Sequence, residues 1–161
     1  MEKRITIPFD EACVRNLRAG DRVLLTGYIY TGRDAAHIRL NDSLKSGIDL
    51  PFDLEGQVIY YVGPSPTPEG AVIGSAGPTS SYRMDDLTPE LLKRGLKGMI
   101  GKGNRTPALI EAMKTYGAVY FAAVGGAGAL IATKIVENEL VAWEDLGAEA
   151  IRRLKVIDLP V

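Results

Sequence analysis

The stretch Gly77-Pro78-Thr79-Ser80-Ser81-Tyr82-Arg83-Met84-Asp85 directly follows an apolar run and combines a forced turn, the hydroxyls of Thr79, Ser80 and Ser81 and a guanidinium within nine residues. Gly77 and Pro78 cannot extend a central strand, so the chain turns there and presents Thr79, Ser80 and Ser81 as hydroxyl and backbone N–H donors. Strand ends of this kind are where α/β sheets bind ligands. A polar turn capped by its own hydroxyls, with Arg83 paired to Asp85 or Asp86, accounts for the same residues without a ligand. A second cluster, Gly101-Lys102-Gly103-Asn104-Arg105-Thr106-Pro107, places a lysine between glycines just ahead of a helix start. There Lys102 would share space with free N–H groups and the positive end of a helix dipole, or would stand solvated in a flexible turn. Taken together the two clusters suit a carboxylate or phosphate ligand.

Other motifs add less. Lys102 is followed by Gly103, so the segment is not a phosphate loop of the Gly-x4-Gly-Lys-Ser/Thr type, and nucleotide binding is disfavoured. The run Gly125-Gly126-Ala127-Gly128 misses the dinucleotide fingerprint because Ile131 stands where its last small residue belongs, and close packing is the plainer use of its glycines. His37, the single histidine, follows Arg33 and Asp34, a grouping able to hold a carboxylate or simply to cap a helix. Cys13 reads as a small core residue, and Tyr28, Tyr30, Tyr60 and Tyr61 as packing within strands.

The elements that must position these residues follow from periodicity. Residues 4–8 and 23–31 read as strands that pair, with a short helix or turn at 10–18 between them. In 35–45, Ala36, Leu40 and Leu44 recur at helical spacing. Residues 57–62 form a buried strand, 63–70 a proline-rich loop and 71–75 a further strand. Thr88-Pro89 and Thr106-Pro107 each supply a cap followed by proline, launching helices at 90–94 and 108–116 that stop at Gly95 and Gly117. Strands at 97–100 and 118–124 flank the second helix, which implies a parallel crossover. A short helix from 125 to about 133, a strand at 135–142, helical character over 144–151 and a last segment at 154–159 complete the chain. The first half is strand-rich and the second alternates helix and strand, a mixed α/β class in one domain spanning 1–161.

A length of 161 residues is enough to bury a core without disulfides or metals. Nineteen Lys and Arg against twenty Asp and Glu give no reason to seek nucleic acid or an anionic membrane, so any anion site is local. One cysteine forms no internal disulfide and holds no metal alone, which makes a reducing, cytoplasmic setting the expectation. The start does not resemble a signal peptide, and no apolar run approaches the roughly twenty residues of a membrane span.

GPTSSYRMD, then GMIGKGNRTP, then AVYFAAVGGAGAL, together with GDRVLLTGYIYTGRDAAH and the tail WEDLGAEAIRRLKVIDLPV, resemble the β subunit of iron-sulfur-dependent fumarases and L-tartrate dehydratases along the whole chain. The resemblance implies a swivelling β/β/α domain. It also implies a heteromeric partner, an α subunit whose three cysteines bind a [4Fe-4S] cluster with one iron open to substrate. This chain lacks those cysteines and is expected to bind no cofactor or metal itself. Carried over motif by motif, Arg33 of TGRDAAH, Arg83 of SYRMD and Lys102 of GKGN would bind the carboxylates of a C4 dicarboxylate, and Thr79 of GPTS would join in proton transfer, with Thr79 and Arg83 as the catalytic pair. Tyr82 stands where the family often has a small residue, and Ser80 where a second threonine is common.

The implied activity is the reversible hydration of fumarate to L-malate by a hydro-lyase that is inactive without its α subunit, with L(+)-tartrate dehydration as the alternative substrate reading. Homodimerisation within a heterotetramer is the expected assembly. A non-catalytic module that binds dicarboxylates through Arg33, Arg83 and Lys102, and a structural subunit whose glycine-rich turns serve assembly, are the readings from other classes.

Overall fold

Three consecutive buried residues, Val58-Ile59-Tyr60, form the short strand β3 (Val58–Tyr60), and their side chains alternate between two separate cores. Val58 and Tyr60 join Ile5, Leu25, Ile29, Ile100 and Leu154 on one face of the sheet, while Ile59 joins Leu40, Leu91, Leu92 and Met99 on the other. A strand covered on both faces has no polar side to show, which is why this run carries no alternation of apolar and polar residues.

The computed structural model describes residues 2–123 and 128–161. In chain order the elements are β1 (Glu2–Thr6), α1 (Glu11–Arg15), β2 (Arg22–Thr31), α2 (Asp34–Lys45), β3, a 3-10 helix (Ser81–Leu87), α3 (Pro89–Lys93), β4 (Gly98–Gly101), α4 (Pro107–Tyr116), β5 (Val119–Ala122), α5 (Gly128–Ala132), β6 (Ile135–Ala142), a 3-10 segment (Glu144–Glu149) and β7 (Ile151–Pro160). They build a seven-stranded mixed sheet in the order β5-β4-β3-β2-β7-β6, with β1 also paired to β2. The pairs β1–β2, β2–β3, β3–β4 and β4–β5 are parallel, and β7 runs antiparallel to both β2 and β6. The α/β class is therefore as the helix–strand rhythm implies, including the expected pairing of the first two strands and the parallel β4-α4-β5 crossover. No helix among the described residues is long and apolar enough to cross a membrane.

Local signals account for several boundaries. Thr106 caps α4 by accepting the Leu109 N–H at 3.3 Å, and Gly117 closes it at φ 70°. The i, i+4 pattern of α2 buries Ala36 and Leu40. Two expectations are corrected. Residues 71–75 form no strand, because Ser65 N–H donates to the Ser75 carbonyl at 3.0 Å and the Ser65 hydroxyl accepts the Ser75 N–H at 2.7 Å. The segment is thus tied to its own loop, with Ala71 and Val72 exposed. Thr88 does not cap α3 either. The 3-10 helix Ser81–Leu87 runs directly into α3, leaving Thr88 helical and buried with its hydroxyl donated back to the Met84 carbonyl at 2.6 Å. Of the helix start expected at 125–128, only Gly128 lies within the described residues. Its packing role holds, since a Cβ there would come 2.9 Å from the Gly77 backbone nitrogen.

Candidate active site

Because β2, β3 and β4 are parallel, their C-terminal ends open onto one edge of the sheet, and the segments that follow carry Arg33, Gly63 and Lys102 respectively. The 79–81 stretch is inserted at that edge. Thr79 N–H donates to the Tyr61 carbonyl at 2.8 Å, Lys102 N–H to the Thr79 carbonyl at 3.3 Å, and Ser81 N–H to the Lys102 carbonyl at 3.0 Å. The result is a parallel bridge between Ser80 and Lys102 that wedges β3 and β4 apart just beyond their last paired residues. Gly101 makes room for it, as a Cβ at that position would overlap the Ser81 hydroxyl and come 2.7 Å from the Tyr61 ring.

Arg33 reaches the same edge from β2. Its guanidinium lies against Gly63, where an added Cβ would stand 2.8 Å from Nη1. Gly63 follows closely on Tyr61, whose carbonyl anchors Thr79, so Arg33 and Thr79 border one short segment. Arg83 does not pair with Asp85 or Asp86. Its Nε instead sits 3.3 Å from Asp34 Oδ2, while Arg33 Nε lies 4.0 Å from Asp34 Oδ1. Asp34 thus stands between two arginines, all three side chains being 28–38% exposed. Arg33 Nε and Asp34 Oδ1 are buried atoms without a hydrogen-bond partner. Lys102 is exposed and Thr79 half-buried. The structure therefore brings Arg33, Thr79, Arg83 and Lys102 to one edge, and the Asp34 that spacing grouped with Arg33 and His37 is there the partner of Arg83. Two carboxylates share this edge with the three cations, since Glu149 Oε1 accepts the Ala35 N–H at 3.1 Å beside Asp34, and a positive excess suited to an anion remains.

His37 is shut off from the solvent-facing rim and does not cap the helix by its side chain. It is fully buried, with Nδ1 at 2.8 Å from the Arg33 carbonyl and its ring edge-on to Tyr61. Burial lowers its pKa from 6.5 to about 4, outweighing the carbonyl bond that favours the charged form. The anion expected at the start of α4 is supplied by the chain itself. Asp85 Oδ2 accepts the Thr106 N–H at 2.7 Å, and Asp85 Oδ1 accepts from Arg105 Nε at 2.6 Å. Lys102 is left facing outward on the preceding turn. Nothing in a separation of twenty residues signals that Arg105 is the partner of Asp85, a contact made only by the fold. Among the described residues no group of three or more His, Cys, Asp or Glu is placed to hold a metal ion.

The fold and the site define a class: a mixed α/β domain that offers cations and a hydroxyl at the carboxyl ends of parallel strands, on a rim open to solvent. A family model described as Fumarase C-terminus matches residues 2–161, and the chain belongs to that family. It is 40% identical over 148 residues to the "Putative L(+)-tartrate dehydratase subunit beta" of Methanocaldococcus jannaschii, covering 89% of this chain and 76% of that protein. It is 39% identical over 141 residues to "Fumarate hydratase class I, aerobic" of Escherichia coli (strain K12), covering 86% of this chain and 26% of that protein. Against "Fumarate hydratase 2" of Leishmania major the identity is 35% over 143 residues, covering 88% and 25%. The chain thus spans about a quarter of the length of these fumarate hydratases.

Proposed function

We propose that this chain is the β subunit of a heteromeric iron-sulfur hydro-lyase that interconverts fumarate and L-malate, supplying half of a composite active site. The observation that carries this reading is the gathering of Arg33, Arg83, Lys102 and Thr79 on one exposed strand-end rim. In this reading Arg33, Arg83 and Lys102 hold the two carboxylates of the substrate, and Asp34 fixes the spacing of the two guanidinium groups. Removing a weakly acidic C–H proton beside a carboxylate builds negative charge there, which the same cations stabilise. Thr79 takes or relays that proton. A threonine hydroxyl is a poor base in water, so the neighbouring cations must favour its deprotonated form for it to act directly.

The single cysteine, Cys13, cannot ligate a four-iron cluster, so this chain does not fit the cluster and the reading assigns it to a partner α subunit. There it would act as the Lewis acid for the departing hydroxyl. Two such αβ units assembled through β–β contacts, in a reducing cytoplasmic compartment, complete the proposal. Mixing the chain anaerobically with its α partner should produce fumarate hydration that neither chain gives alone, and absence of any turnover in the mixture would refute it. L(+)-tartrate is the second substrate to assay alongside, because the relative covered over three-quarters of its length carries that name. Calorimetry on the isolated chain separates a half-site, which binds dicarboxylate weakly, from a free-standing binding module, which binds it tightly.

A further inference from the structure

Behind the exposed rim lies a polar network that is buried at Asp85, Arg105, Tyr61 and Ser81 and reaches the surface at Tyr120 and Gly103. Arg105 Nε donates to Asp85 Oδ1 at 2.6 Å, and both side chains are only 2% exposed. The other carboxylate oxygen takes the Thr106 N–H at 2.7 Å. Arg105 Nη2 donates to the Tyr61 hydroxyl at 3.1 Å, and its guanidinium lies over the rings of Tyr61 and Tyr120 at 5.2 and 4.9 Å. The Tyr120 hydroxyl donates its one proton to the Gly103 carbonyl at 2.9 Å, so in the 2.7 Å contact with Ser81 it is the serine that donates. Every one of these bonds joins the 79–85 turn, the 101–106 turn, or the strands beneath them.

A buried ion pair is a poor way to add stability, since desolvation consumes most of its Coulombic gain and an apolar pair of similar volume often does as well. Its distinctive effect is geometric. A carboxylate fixed at both oxygens, and a guanidinium that lies over two aromatic rings and bonds both the carboxylate and a tyrosine hydroxyl, allow one relative placement of the elements that carry them. Here those elements are the two turns whose outward faces carry Thr79 and Lys102, joined at the surface by the Ser80–Lys102 bridge.

We propose that the buried Asp85–Arg105 pair, extended through Tyr120 to Ser81, consists of positioning residues that set Thr79 against Lys102. The inference rests on the reading of those two residues as substrate-facing. The experiment compares wild type, Asp85→Asn and Tyr120→Phe, each reconstituted with the cluster-bearing partner. Steady-state fumarate hydration gives kcat and KM, and amide hydrogen exchange on the same complexes reports the Ser81 and Lys102 N–H groups. The Val23 N–H, bonded to the Val161 carbonyl at 2.9 Å, serves as the remote reference.

Displacements of the order of an ångström cost on the order of 10²-fold in rate, so kcat should fall at least about 30-fold in Asp85→Asn and about tenfold in Tyr120→Phe, with KM within about threefold. Exchange should quicken at Ser81 and Lys102 and stay unchanged at Val23. A folded variant whose kcat stays within about twofold of wild type overturns the proposal, and so does a uniform loss of protection that includes Val23, which marks a merely structural role. Tyr120→Phe carries the test if Asp85→Asn does not fold. If wild type neither hydrates fumarate nor dehydrates L(+)-tartrate, the functional reading falls by itself. Exchange then decides whether the pair holds the turns, with unaltered Ser81 and Lys102 overturning it.

Discussion

Replacing His37 should flatten the acid limb of this protein's stability. The ring is 0% exposed, and its Nδ1 must carry the proton because the Arg33 carbonyl 2.8 Å away can only accept. That leaves Nε2 as a buried acceptor with no partner. Adding a second proton would place a charge and an unmatched N–H in an apolar setting, and burial accordingly lowers the pKa from 6.5 to about 4. The folded value lies below the unfolded one, so the stabilising contribution is complete above about pH 6.5 and is lost as pH falls toward 4. Near pH 5 the unfolded chain has taken up most of a proton that the native state still refuses. Linkage then gives a loss of about 2 kcal/mol relative to pH 7.5, and about 3 kcal/mol at the acid limit. Because the chain has one histidine, the difference between wild type and His37→Gln isolates this contribution from the carboxylates. Urea unfolding followed by the fluorescence of the lone Trp143 at both pH values measures it. Wild type should lose about 2 kcal/mol more than the variant between the two conditions, and equal losses would refute the reasoning.

Further outcomes follow from the same geometry. Gly63→Ala places a methyl 2.8 Å from Arg33 Nη1, and in the reconstituted enzyme it should raise KM for the dicarboxylate about tenfold, with little change in melting temperature; an unaltered KM would remove Arg33 from the substrate. Asp85→Ala leaves the Arg105 charge buried and unpaired and should cost about 3–5 kcal/mol in chemical denaturation, where a loss below about 1 kcal/mol would contradict the buried pair. Thr106→Ala removes the cap on the Leu109 N–H and should cost about 1 kcal/mol by the same assay, against no change if the hydroxyl is idle.

What could be read in the sequence was local chemistry. Thr106-Pro107 and Gly117 mark the ends of α4 because capping and left-handed closure involve only neighbouring residues. The apolar spacing in α2 reflects one buried face. The 71–75 segment misleads because its apolar residues fit a strand, while the groups that decide its backbone bonds belong to Ser65, in a loop that periodicity does not describe. The 3-10 helix at Ser81–Leu87 has no apolar repeat to reveal it, and it takes Thr88 out of its expected capping role. At the site, the residue types of Arg33, Thr79, Arg83 and Lys102 suggested an anion. Their meeting depends on strand order and on the wedge at Ser80–Lys102, both of which are long-range. The same holds for the two true ion partners, Asp34 for Arg83 and Arg105 for Asp85, since spacing favoured near neighbours and folding selected distant ones.

In the proposed function, the rim bearing Thr79 and Lys102 is one half of a hydro-lyase active site. Its most direct test is anaerobic reconstitution with the cluster-bearing partner, measuring fumarate hydration for wild type, Thr79→Ala and Lys102→Ala at matched folding. Turnover is expected in the wild-type mixture, with a loss of about 10²–10⁴-fold in each variant. Turnover unchanged in both variants would contradict it.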